Sequence, residues 1–287
     1  MRLYTVESKN DQHVALEYKD GRLVSFKSLG INVKDMNDLI LRFDEIYPVI
    51  VSLLEADEIE SVENKYRIIA PIPIPIQDII CLGVNYRSHI EETVDVLDFT
   101  KKKDTVYFSK RVNRSNDPNG IIPVYDFVDS LDYEVELGVI LKKDAFNVSA
   151  DEAGEYIFGY TIINDVSARN IQLKHQQWYR GKSLDGYTPM GPCIVTKDEI
   201  GNAHDLKICC YVNDQIRQES NTKYMITSVE EAISELSQGM TLKAGTIIAT
   251  GTPGGVAMGM KPPVYLKKGD LVRCEIENIG SLVNMCK

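Results

Sequence analysis

The chain has 287 residues, 44% hydrophobic and 26% charged, an ordinary globular balance with room for a sizeable core in one large domain or a large and a small one. Its formal net charge of −10 argues against non-specific nucleic-acid binding, which needs positive surface, yet a locally basic pocket for an anionic small molecule stays open. No run approaches the roughly 18 consecutive apolar residues of a membrane helix, and the opening Met1-Arg2-Leu3-Tyr4-Thr5 lacks the apolar core of a signal peptide.

The first stretch reads as strands, with Val14–Tyr18 and Leu23–Phe26 flanking Lys19-Asp20-Gly21-Arg22, where Asp-Gly marks a hairpin turn. Apolar spacing then predicts a helix from about Met36 to about Leu54, interrupted near Pro48. Prolines at alternate positions in Ala70-Pro71-Ile72-Pro73-Ile74-Pro75-Ile76 forbid a helix and favour an extended connector, so a boundary is expected between a small N-terminal α/β domain, 1–70, and a catalytic domain, 71–287. An edge strand within one domain is the other reading of that run. Further strands are expected at Ile79–Leu82, Tyr133–Leu141 and Tyr160–Asn164, and a hairpin at Ile208–Val212 and Ile216–Gln218 around Asn213-Asp214. Ser228-Val229-Glu230-Glu231 is a capping box that starts a helix running to Gln238 and ending at Gly239. Leu271–Ile276 is a late strand. Strands dominate and the helices do not alternate with them, which points to an α+β, strand-rich mixed β roll or sandwich. The six cysteines, Cys81, Cys193, Cys209, Cys210, Cys274 and Cys286, form no C-x-x-C pair and read as reduced thiols of a cytoplasmic protein.

The most informative segment is Asp132-Tyr133-Glu134-Val135-Glu136-Leu137-Gly138-Val139-Ile140. In a strand, Glu134 and Glu136 share one face, while Tyr133, Val135 and Leu137 take the other. Their Cα atoms then lie about 7 Å apart. Two carboxylates that close repel in a partly buried site, and a cation between them removes the cost. Two ordinary glutamates on a solvated edge would give the same pattern. The apolar strand ending Asn164-Asp165 supplies a third acid, which can also be read as the N-cap of a helix beginning at Val166. An oxygen-only set of Glu134, Glu136 and Asp165 suits a hard cation, Mg²⁺ or Mn²⁺, whereas zinc would recruit His or Cys.

Five motifs occur in order: Gly83-x-Asn85-Tyr86-x-x-His89; Glu134-x-Glu136; Asn164-Asp165-x-Ser167-Ala168-Arg169; Gly181-Lys182-Ser183; and Thr250-Gly251-Thr252-Pro253-Gly254-Gly255-Val256. Together, over roughly residues 75 to 287, they resemble the fumarylacetoacetate hydrolase family, and the N-terminal extension resembles that of the longer bacterial members. The resemblance implies that Glu134, Glu136 and Asp165 bind one divalent ion. It implies too that a 2-keto acid sits on the ion, which acts as a Lewis acid and stabilises an enolate.

His89 and Glu92 lie three apart, so on a helix they share a face, and the carboxylate would orient the imidazole and raise its basicity. Such a pair is commonly mere surface, but the resemblance places it on a short lid where it activates water. The resemblance likewise makes Lys182 a pocket lysine for the substrate carboxylate or enolate, where the residue alone reads as surface. It assigns substrate contacts to Gln172 and Thr252. Arg169 either joins these or pairs with a carboxylate near the metal. The glycine-rich run at Gly251 lacks G-K-[ST], so it reads as a tight anion-binding loop and not as a nucleotide site. Arg87, Tyr107, Lys110 and Arg111 are expected near the pocket entrance. Asn170 and Leu184-Asp185-Gly186 depart from the family pattern and bear on substrate identity.

The leading expectation is a metal-dependent hydrolase that cleaves a C–C bond of a small acylpyruvate or β-diketo acid, with His89, Glu92 and Lys182 as catalytic residues. The alternatives are a decarboxylase of a 2-oxo acid such as oxaloacetate, an isomerase of a 2-hydroxydienoate, and a non-enzymatic Mg²⁺-binding protein. The resemblance also suggests a homodimer, with no nucleic-acid or membrane partner.

Overall fold

Arg2–Ser8 is the strand on which the N-terminal part is built, pairing antiparallel with Asp11–Glu17 on one side and with Met190–Thr196 and Arg67–Ile69 on the other. The computed structural model describes residues 1–8, 11–56, 66–96, 104–175 and 177–287. Leu23–Ser25 extends the N-terminal edge, and the expected turn forms before it, with the Tyr18 amide donating to the Arg22 carbonyl at 2.8 Å. Gly21 adopts φ +82 there, a region that costs residues with a Cβ dearly.

From this edge one ten-stranded sheet continues through Met190–Thr196, Ile157–Asn164, Val135–Leu141, Ile247–Ala249, Ile79–Gly83 and Val106–Lys110. Most pairings are antiparallel, but Ile247–Ala249 runs parallel to Ile79–Gly83. The strands of residues 1–70 and those that follow thus share one sheet. The proline run bends, without helix or strand, from Arg67–Ile69 to Ile79–Gly83 within that sheet. A second, five-stranded sheet holds Gln215–Asn221, Lys207–Val212, Leu271–Ile276, Gly280–Cys286 and Ile121–Ile122. The fold is accordingly α+β and strand-rich, with mixed sheets and few helices.

The pleat divides the core in two. Tyr133, Val135, Leu137, Val139 and Leu141 point to the small sheet, where they meet Ile208, Val272, Ile276 and Ile233 of the capped helix Val229–Ser237. Ile140 and Ile163 point the other way, against Leu39, Ile40, Ile46 and Ile50 of the N-terminal helices. Each fully buried aliphatic side chain contributes about 1.5–3 kcal/mol, and Leu137→Ala would cost about 2–5 kcal/mol, because a strand flanked on both sides cannot collapse around a hole.

The expected helix over Met36–Leu54 is in fact two, Met36–Leu41 and Phe43–Ala56, and the break falls at Arg42, not at Pro48. Arg42 closes the first helix by donating its amide to the Asp38 carbonyl and opens the second by accepting from the Ile46 amide. Pro48 lies on the exposed side of the second helix, where water can satisfy the carbonyl that its missing N–H leaves free. All six cysteines are buried and free. Among the described residues no helix is long and apolar enough to cross a membrane.

Candidate active site

The acids converge because of strand register. Val135–Leu141 pairs antiparallel with Ile157–Asn164, setting Ile163 opposite Glu136 and Asn164 opposite Val135. Two further bonds lock the strand ends: the Glu134 amide donates to the Asn164 side-chain oxygen at 3.0 Å, and the Asp165 amide to the Glu134 carbonyl at 2.9 Å. Carboxylate oxygens of Glu134, Glu136 and Asp165 consequently lie within 4.8 Å of one another, all buried. Asp165 is not an N-cap, since the helix starts at Arg169 and a two-residue strand, Ser167–Ala168, intervenes to pair with Leu131–Asp132.

Cations hold two of the three acids. Lys182 Nζ bridges Glu134 at 2.5 Å and Asp165 at 2.6 Å, and Lys110 Nζ takes the other Asp165 oxygen at 2.5 Å. Arg169 donates to Asp132 at 2.9 Å, to Glu134 at 2.5 Å and to Gln172 at 3.0 Å. Burial alone would raise the Glu134 carboxyl, but Arg169 and then Lys182 hold it well below the ordinary range. Lys182 shows the converse: desolvation would lower its ammonium, and Asp165 and Glu134 together raise it. Among the described residues Glu136 has no cationic hydrogen-bond partner and accepts from the Gly251 amide at 2.8 Å. Burial, then Asp165, then Glu134 push its carboxyl well above the ordinary value.

That imbalance suits a metal ion. Asp132, Glu134, Glu136 and Asp165 face Lys110, Arg169 and Lys182, a formal excess of one negative charge among these seven buried groups. A buried uncompensated carboxylate is costly and takes up a proton or a cation. Three convergent carboxylates with no His or Cys among them suit a hard divalent ion, so this buried triad could hold one.

Opposite the acids lies the helix Arg87–Thr93. His89 Nδ1 meets Glu92 Oε1 at 2.8 Å, and Glu92 in turn accepts the amides of Gly255 at 2.6 Å and Val256 at 3.4 Å. An ionised carboxylate only accepts, which assigns the proton to Nδ1 and leaves Nε2 with a free lone pair. Asn85 fixes the approach to this helix, donating to the Thr250 and Thr227 carbonyls at 2.9 and 3.0 Å. Gly251 must be glycine on two counts: its φ is +90, and a Cβ would come within 2.7 Å of the Asn85 Cβ.

Between the acids and His89 lies a small cavity of about 20 Å³. Its polar wall is His89, Glu134, Glu136, Arg169, Lys182 and Thr252. Its apolar wall includes Phe108 and Trp178, whose rings meet edge to face at 5.2 Å. Gln172 also lines it.

The sequence-predicted residues sort as follows. Glu134, Glu136, Lys182, Arg169, Gln172, His89 and Thr252 line the cavity, while Asp165, Glu92 and Gly251 stand directly behind it on Lys182, His89 and Glu136. Arg169 is engaged with protein acids, and the Thr252 hydroxyl donates to the Val135 carbonyl at 2.9 Å while accepting from Gln218 at 2.7 Å. Of the expected entrance residues, Lys110 is 1% exposed and lies beneath Asp165, Tyr107 bonds Glu235, and Arg87 and Arg111 are exposed and off the cavity wall. Length misled that reading: a lysine is long enough to reach inward from an edge strand. Asp132 and Gln218 were missed. Asp132 carries a legible signal, because it shares the strand parity of Glu134 and Glu136. Gln218 carries none, since it reaches the Val135 amide and the 252–253 loop from the other sheet.

The site thus offers a buried carboxylate triad that could hold a metal ion, with an anchored His–Glu pair on the same cavity. The chain belongs to the fumarylacetoacetate hydrolase family: the family's model, described as fumarylacetoacetate (FAA) hydrolase C-terminal, matches residues 78–287. It is 42% identical over 222 residues, 77% of this chain and 73% of the relative, to the oxaloacetate tautomerase YisK of Bacillus subtilis (strain 168). Its fold superposes on a fumarylacetoacetate hydrolase (EaFAH) of psychrophilic Exiguobacterium antarcticum with TM-score 0.87 and 36% identity, over 100% of this chain and 99% of that one. It also matches a 5-carboxymethyl-2-hydroxymuconate delta-isomerase of Mycobacterium smegmatis with TM-score 0.72 and 30% identity, over 100% and 98%.

Proposed function

We propose that this site interconverts the keto and enol forms of a small 2-oxo dicarboxylate of the oxaloacetate type, with Mg²⁺ or Mn²⁺ held by Glu134, Glu136 and Asp165. The observation that carries the reading is the His89–Glu92 pair, anchored at 2.8 Å and aimed from across the cavity at the acid cluster. The names borne by relatives, a tautomerase and an isomerase, support it over the hydrolytic expectation.

The bound ion would supply Lewis-acid polarisation of the keto oxygen. His89 Nε2 accepts a proton from the carbon beside the keto group, the C–H electron pair becomes the C=C bond, the C=O π pair moves onto oxygen, and the imidazolium returns the proton to that oxygen, so the base ends neutral. The reverse sequence restores the ketone, and no C–C bond breaks. Glu92 keeps the imidazole in the tautomer that leaves Nε2 basic and stabilises the imidazolium that forms. Lys182 and Arg169 keep Glu134 ionised and aligned, and Lys182 holds Asp165 in place. With a divalent ion the buried excess turns from one negative to one positive charge, which suits an anionic substrate.

The same pair would activate water for cleavage of an acylpyruvate, which is the second reading. Oxaloacetate enol absorbance, followed with Mg²⁺, with Mn²⁺ and with EDTA, separates the two. Metal-dependent relaxation between enol and ketone without pyruvate supports tautomerisation. Metal-dependent pyruvate release from acetylpyruvate, with no effect on oxaloacetate enol, replaces it with hydrolysis. Binding of metal and keto acid without any turnover would make the chain a non-enzymatic relative.

A further inference from the structure

Asp132 has no exposed surface and belongs neither to the carboxylate triad nor to the His89–Glu92 pair. Its carboxylate accepts four hydrogen bonds. Oδ1 takes the amides of Tyr133 at 2.9 Å and Ala257 at 2.8 Å; Oδ2 takes Arg169 Nε at 2.9 Å and the Met258 amide at 3.0 Å. These partners lead to opposite halves of the site. Arg169 continues to Glu134 at 2.5 Å. Ala257 and Met258 continue the turn whose Gly255 and Val256 amides hold Glu92. Tyr133 reinforces the second branch, since its hydroxyl donates to the Gly255 carbonyl at 3.0 Å. The turn also packs directly on Glu92: a Cβ at Gly259 would come within 2.6 Å of the Glu92 carboxyl carbon.

We propose that Asp132, seconded by Tyr133, is a positioning residue that couples the metal-holding carboxylates to the orientation of the His89 base. The physical content is two runs of hydrogen bonds, Glu134–Arg169–Asp132–(257–258 amides) and (255–256 amides)–Glu92–His89, joined by the backbone of the 255–258 turn, with one rigid, fully used carboxylate at the centre. Charge-assisted bonds of this kind are short and geometrically demanding, so a shift of Arg169 displaces the turn, and a shift of the turn displaces Glu92. The catalytic part of this inference rests on the reading of His89 as the proton acceptor.

The test uses ¹⁵N-histidine labelling of the full chain, which has four histidines, and compares wild type, Asp132→Asn and Tyr133→Phe with and without Mg²⁺. An asparagine amide cannot accept all four bonds, so Asp132→Asn releases the turn or Arg169. Both variants are expected to move the His89 ring resonances and speed exchange of the Nδ1 proton, and Asp132→Asn to weaken Mg²⁺ binding about 10- to 100-fold. On turnover, Asp132→Asn should lower kcat about 10- to 100-fold at saturating metal with little change in KM, and adding Glu92→Gln should lower it little further, because both act through one relay. An unchanged His89 spectrum in both variants, or losses from Asp132→Asn and Glu92→Gln that multiply, overturns the proposal. If Asp132→Asn fails to fold, Tyr133→Phe decides on the His89 spectrum alone. If wild type does not interconvert oxaloacetate, the proposed function fails while the spectra and Mg²⁺ binding still judge the coupling.

Discussion

Glu136 sits in a strand whose seven residues are all buried, whereas His89 sits on a seven-residue helix that buries only itself and Thr93. The carboxylate half sits in and at the ends of central strands and is clamped by Lys110, Lys182 and Arg169. The His89 half, the proposed base, hangs on a side chain, Glu92, gripped by two amides of a loop. Free energies of local opening follow buried contact, so the base can be displaced at lower cost than the acids. The comparison teaches a division of labour: the sheet preorganises charge, and the short helix brings the base to it.

The largest effect is expected from the sheet half. Asp165→Ala removes a ligand and strands Lys110 and Lys182 among fewer acids, costing about 3–5 kcal/mol of stability and abolishing divalent-metal binding. Urea unfolding and a Mn²⁺ titration check both together, and a stable variant that still binds metal would break the comparison. His89→Gln should do the opposite, lowering turnover about 10²- to 10⁴-fold while thermal stability and metal affinity stay near wild type. Glu92→Gln should cost less, about 10- to 100-fold in kcat, and should speed exchange of the His89 Nδ1 proton without loss of metal.

The smallest effect is a pH dependence of loading. The Glu136 carboxyl is raised by burial, then by Asp165 and Glu134. Uptake of a divalent ion must then expel a proton, so metal affinity should rise with pH above the ordinary glutamate range and level off past the raised value. The sign of the stability term is the reverse. Without metal, protonated Glu136 contributes stability that is present below the ordinary value and lost as pH rises through the raised one. Calorimetry in two buffers of different ionisation heat reads the released proton directly, and its absence would place compensation of Glu136 elsewhere.

Much of the site was legible because it obeys a local rule. Period two put Glu134 and Glu136 on one face, a strand end offered Asp165, and helical spacing joined His89 to Glu92. The capped helix at Val229–Ser237 and the strand Leu271–Ile276 were likewise readable from caps and alternation. What escaped depends on contacts remote in sequence. Arg2–Ser8, Met190–Thr196 and Ile247–Ala249 are strands because of their neighbours in the sheet. Gln218 acts from the second sheet, 83 residues from the Val135 amide it holds. Lys110 looked like an entrance residue because nothing local to it tells inward from outward.

The most direct test of the proton-transfer account is hydrogen exchange at the carbon beside the keto group of oxaloacetate, followed in D₂O by NMR against a control with metal but no protein. Metal-dependent deuterium uptake that is lost with EDTA and with His89→Gln, and that leaves the carbon skeleton intact, is the expected result. Exchange no faster than the protein-free control, or uptake that His89→Gln leaves undiminished, would contradict it.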